Sequence, residues 1–125
     1  QMDLSPTTDL LVKKINEVGL STLKECMQTV YEDGPKRDRR LWIGDLYLEA
    51  LANAYSYKEH ALTKRCLYLL AALANDEGLL HATVFEEPYP HPQEGQHCID
   101  YALIYNVALL EYLKVTGDKE IYGLW

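Results

Sequence analysis

Apolar residues recur along this chain with the period of a helix, and the recurrence is interrupted in only a few places. Leu11, Ile15, Val18, Thr22, Cys26 and Val30 share one helical face, so a first helix is expected to run to about Tyr31. Ser5 is read as its N-cap, with Pro6 at the first helical position. Gly19 lies within it, as a division or a point of close packing. A second helix is expected over Ile43–Tyr55, with Tyr47, Ala50, Leu51 and Ala54 on one face. Asn53 sits near that face and reads as a hydrogen-bonded packing residue. A third is expected from Lys58 to Ala74, and Cys66–Ala74 is an unbroken apolar run. A fourth spans about Ile99–Val115, with Thr116-Gly117-Asp118 closing it and capping a further helix from Lys119.

Between the third and fourth helices lies Leu79–Cys98, which holds Pro88, Pro90, Pro92 and Gly95 and cannot be one regular element. A segment of that length in a compact domain is usually functional or disordered. Helices three and four read as apolar on nearly every side, and a bundle this small can bury only one such helix. The apolar surface exceeds what the chain can cover alone. The expectation is one partial domain over residues 1–125, completed by further hairpins or by self-association, and the stop at Trp125 soon after a new helix begins agrees with it.

Composition narrows the partners. The 125 residues carry 12 basic and 19 acidic side chains, a net charge of −7, which argues against nucleic acid. Basic residues cluster only at 36–40, among carboxylates. No apolar run reaches the length of a membrane span, and the first residues show no leader pattern. Cys26, Cys66 and Cys98 have neither CxxC nor zinc spacing and read as core thiols. His81, His91 and His97 show no HxxxH or HExxH spacing, so neither metal nor cofactor is expected.

The chemistry concentrates in Asp33-Gly-Pro-Lys-Arg-Asp-Arg-Arg-Leu-Trp-Ile-Gly-Asp45. Gly34 and Pro35 stop the preceding helix, and Gly44 and Asp45 open the next. The result is a helix-to-helix corner dense in ionisable groups. An indole beside carboxylates suits a sugar, because its flat apolar face stacks on the ring. Carboxylates interleaved with arginines can have their pKa values split apart, as a glycosidase requires. The segment 79–98, with Phe85, Glu86, Glu87 and Tyr89, would form the lip of the cleft.

This motif resembles a signature of the inverting α-L-rhamnosidases, glycoside hydrolase family 78. Asp33, Pro35, Arg37, Asp38, Trp42, Gly44 and Asp45 match its pattern. Downstream, Asp100-Tyr101 is similar to the pair that opens a later helix in the family, and Tyr112–Asp118 is similar to its Y-x-x-T-G-D helix end. The likeness covers roughly residues 20–120, in order. It implies an all-α fold in which helical hairpins form part of an (α/α)6 toroid. It also implies a glycosidase that removes terminal rhamnose with inversion, the isolated chain being inactive. By the same resemblance Asp38 is the general acid, Asp33, Arg37, Trp42 and Asp45 bind the sugar, and Arg37 orients or pairs with a carboxylate. The general base would lie beyond residue 125. The family's usual acid is Glu where Asp38 stands, and its usual Cys and Gly are replaced by Gly34 and Leu41. Two other readings remain open: a helical carbohydrate-binding or oligomerisation module without catalysis, and a toroidal glycosidase acting on another sugar.

Overall fold

A computed structural model describes residues 4–124. The first helix, α1, spans Leu10–Cys26, and its N-cap is Asp9, whose Oδ1 accepts from the Leu11 amide at 2.8 Å. The Ser5 carbonyl instead accepts from the Thr8 amide in a separate turn. A carboxylate at the N-cap answers an orphan amide and faces the positive helix end, which explains why Asp9 wins. The helix stops at Cys26, five residues before the expected end at Tyr31, because Met27 and Tyr31 pair as an isolated bridge and the Glu32 amide turns back to the Cys26 carbonyl. Gly19 neither divides the helix nor lies in close packing, since a Cβ there would meet nothing within 4 Å.

Next come β1 (Leu41–Trp42) and α2 (Ile43–Ala54), then α3 (His60–Ala72), β2 (Thr83–Phe85), β3 (His91–Pro92) and α4 (Ile99–Thr116). A 3-10 segment, Lys119–Leu124, follows. The strands form one antiparallel sheet in the order β1-β2-β3, pairing Leu41 with Val84 and Phe85 with His91. Segment 79–98 is therefore not wholly irregular. It supplies two strands that dock on the strand entering α2. Gly117, at φ +65°, ends α4 in the left-handed conformation that glycine adopts without a Cβ penalty.

The core lies where α2 crosses α4, flanked by α3 and the sheet. Leu41, Ile43, Leu46, Leu67, Leu70, Val84, Leu109 and Ile121 are buried there. Each large aliphatic side chain withdrawn from water contributes about 1.5–3 kcal/mol. Asn53 is fully buried and joins three segments. Its amide nitrogen donates to the Tyr31 hydroxyl at 2.6 Å and to the Glu59 carbonyl at 3.1 Å, and its oxygen accepts from the Glu59 amide at 3.0 Å. The packing role expected for it is what the structure contains.

The chain does not cover its apolar helices on every side. Ile99, Leu103, Val107, Leu110 and Val115 of α4 are exposed, as are Leu11, Ile15 and Val18 of α1. Four helices leave the outward faces open, so these apolar rows require other structure to cover them.

Candidate active site

Residues 33–40 form a closed loop. The Asp33 amide donates to the Arg40 carbonyl, and the Arg40 amide donates to Asp33 Oδ1, both at 3.1 Å. The loop is tight inside: a Cβ on Gly34 would stand 3.1 Å from the Arg37 carbonyl oxygen, which accounts for glycine at that position. Asp38 and Arg39 follow with φ of +67° and +55°. Consecutive left-handed residues other than glycine are uncommon and cost free energy that the surroundings must offset. They throw the Asp38 carboxylate outward, 46% exposed.

Arg40 returns the chain to the sheet. Its guanidinium lies between two rings, 5.0 Å from the centroid of Trp42 and 4.9 Å from that of Phe85. Nη1 donates to Gln93 Oε1 at 2.6 Å, and Nη2 stands 3.6 Å from Asp38 Oδ2. The expected carboxylate partner, Arg37, is exposed, and no ion pair involves it among the described residues. Arg39 faces Glu32 at 3.9 Å.

Trp42 is the last residue before α2, in extended conformation, and its indole is half-buried. Tyr101 from α4 meets it edge-on at 6.5 Å between centroids. Gly44 makes room for that tyrosine, because a Cβ there would come within 2.9 Å of its ring. Asp45 stands in the first turn of α2, where the helix dipole favours a carboxylate. Burial, and then the neighbouring Asp33 charge, nonetheless push its pKa up. Burial raises the Tyr101 hydroxyl, and the Asp45 charge adds to it.

One turn beyond Asp45, on the same helical face, lies Glu49. Burial, then the Asp45 charge, push this carboxyl up to about 8, and its Oε2 has no hydrogen-bond partner. The Cys26 thiol adjoins it and is pushed up to about 11, mainly by burial and by Glu49. Asp33, Asp45, Glu49 and Glu32 thus form one acidic group, with Trp42 and Tyr101 at its edge. Asp38 belongs to an outer turn, where Arg40 links it to the sheet.

The sequence alone points to Asp33, Arg37, Asp38, Trp42 and Asp45, names Tyr101 only as part of a pair that opens a helix, and does not single out Arg40 or Glu49. The four-residue spacing from Asp45 could have disclosed Glu49. Nothing local discloses the Arg40 stack, because Phe85 and Gln93 come from a distant segment. Among the described residues no group of three or more His, Cys, Asp or Glu side chains is arranged to hold a metal ion.

Comparison with known proteins bears on this geometry. Residues 5–123 match the family described as bacterial alpha-L-rhamnosidase 6 hairpin glycosidase domain. No curated protein matches the chain. Among solved structures, a "rhamnosidase from Klebsiella oxytoca with rhamnose bound" superposes with a TM-score of 0.88 at 41% sequence identity. That match covers 93% of this chain and 22% of the other, so the chain spans about a fifth of the relative's length.

Proposed function

Since the chain belongs to the bacterial alpha-L-rhamnosidase six-hairpin glycosidase family, its helices being part of a helical toroid, we propose that it is one wall of the active site of an inverting α-L-rhamnosidase. The observation that carries this reading is the acidic group beside two aromatic rings: Asp45, which feels the Asp33 charge, neighbours Tyr101, and Tyr101 meets Trp42 edge-on, with Asp38 on the outer turn of the same loop. Carboxylates that accept from sugar hydroxyls while a ring lies on the apolar sugar face are a common way to hold a pyranose.

In this reading Asp33, Trp42 and Asp45 bind rhamnose, and Arg37 lines the outer edge. Asp38, protonated, gives its proton to the departing glycosidic oxygen as the C–O bond breaks. A water activated by a carboxylate outside this chain attacks the anomeric carbon from the opposite face, so the configuration inverts. Water access at Asp38 allows it to be reprotonated after each turnover. The partner is the remainder of the catalytic domain, which covers the apolar faces of α1 and α4. The isolated chain has no hydrolytic activity.

Asp38→Asn in the full-length protein tests the acid. Loss of general-acid help costs about 10²–10⁴-fold. That loss falls on rhamnosides with poor alkyl leaving groups and nearly vanishes on an activated aryl rhamnoside, whose leaving group needs no proton. Near-normal turnover of the alkyl rhamnoside would remove Asp38 from the role.

A further inference from the structure

The geometry points to Arg40 as the residue that positions Asp38 for proton donation, by clamping the strained 33–40 loop to the sheet. The inference rests on the reading of Asp38 as the acid. It begins from a row of flat groups that crosses the site: Tyr89, His91, Phe85, Arg40, Trp42 and Tyr101. Tyr89 and His91 lie 5.2 Å apart, His91 and Phe85 stack at 4.9 Å, and Trp42 meets Tyr101 at 6.5 Å. Arg40 is the central member, at 4.9 Å and 5.0 Å from its two neighbours. It alone in the row also touches the acid.

Three features make Arg40 a clamp rather than a surface cation. First, the guanidinium carbon lies over two rings, 5.0 Å and 4.9 Å from their centroids, and cation–π contact favours the charge there. Second, the short bond from Nη1 to Gln93 ties one end of the guanidinium. Gln93 adjoins β3 and its own amide donates to the Thr83 carbonyl, so the anchor belongs to the sheet. Third, its side chain is only 19% exposed and its Nε is buried without a partner, a cost that an incidental packing residue would avoid by swinging to solvent.

What the clamp restrains is a loop with reason to relax. Asp38 and Arg39 both hold left-handed backbone, and Asp38 is half open to water. The other restraints on the loop are Asp33 with the Arg40 backbone at its base and the long Arg39–Glu32 ion pair at 3.9 Å, and neither reaches the Asp38 side chain. At 3.6 Å the Arg40 Nη2 contact limits where Oδ2 can go without occupying it as a hydrogen-bond donor would.

The test is Arg40→Met in the full-length protein, assayed beside Asp38→Asn on an alkyl rhamnoside and an activated aryl rhamnoside. Misplacing a catalytic group by about 1 Å costs on the order of 10²-fold. The expected result is an approximately 100-fold fall in kcat for the alkyl substrate, with the aryl substrate within about threefold and KM for both little changed. Gln93→Ala, which removes one anchor and leaves the ring stack, is expected to fall about tenfold on the alkyl substrate alone. It also serves if Arg40→Met does not fold. Equal losses on both substrates, in either variant, would make Arg40 a packing residue and overturn the inference. If Asp38→Asn itself loses both substrates equally, the acid assignment fails instead, so the two failures are told apart.

Discussion

Glu49 is the residue whose charge state the fold controls most strongly. The titratable groups around it are Cys26 on α1, Tyr31, Glu32 and Asp33 in the following segment, Asp45 on its own helix and Cys66 on α3, and none is a cation. Burial together with this acidic company pushes its pKa to about 8, against roughly 4.3 in an unfolded chain. The native state therefore binds the extra proton between those two values. The stabilising contribution is complete below the unfolded value and is lost as pH rises through about 8. Glu49→Gln, isosteric and uncharged, is expected to match the parent in thermal unfolding near pH 4 and to exceed it above pH 8. A difference that is the same at both pH values would show that folding leaves the Glu49 pKa where it stands in the unfolded chain. The same proton lowers repulsion on Asp45, whose own pKa burial and Asp33 already raise.

At the scale of elements, the helices were legible because their apolar period is long and their ends carry recognisable residues. The Ile43 and Ile99 starts and the Gly117 stop lie where the pattern places them. The end of α1 was not legible. Val30 continues the helical spacing, but the chain leaves the helix at Cys26 so that Val30 and Tyr31 can enter the core, 2% and 0% exposed. The strands were also hidden. At two or three residues, β1, β2 and β3 are too short to show alternation, and β1 gains its partner β2 only across more than forty residues. Asp33, Trp42 and Asp45 could be gathered from a local motif, whereas Arg40 acquires its meaning only from Phe85 and Gln93. Asn53 ties α2 to the segment after α1 and to the start of α3. Asn53→Ala leaves the Glu59 amide and carbonyl without that partner, and is expected to cost about 2–4 kcal/mol in denaturant unfolding. A cost under about 0.5 kcal/mol would mean that water replaces the side chain.

At the scale of the whole molecule, the sheet and the α2 N-terminus present the acidic group on one side while α1 and α4 present bare apolar rows. Such faces need a cover, and in a six-hairpin toroid the neighbouring hairpins provide it. The chain alone is accordingly expected to self-associate at micromolar concentration, as seen by sedimentation, and to release no rhamnose from any rhamnoside. Leu103→Glu together with Leu110→Glu on α4 should shift it toward monomer, because both positions are exposed here and lie on the open face. An unchanged sedimentation coefficient would place the association elsewhere. The whole account rests on one proposition, that the acidic group beside Trp42 holds a sugar. Calorimetric binding of L-rhamnose to the full-length protein and to its Asp45→Ala variant tests it most directly. A charge-assisted hydrogen bond contributes about 1.5–3 kcal/mol, so the account predicts affinity weakened by roughly 10- to 150-fold. Equal affinity in the two proteins would contradict it.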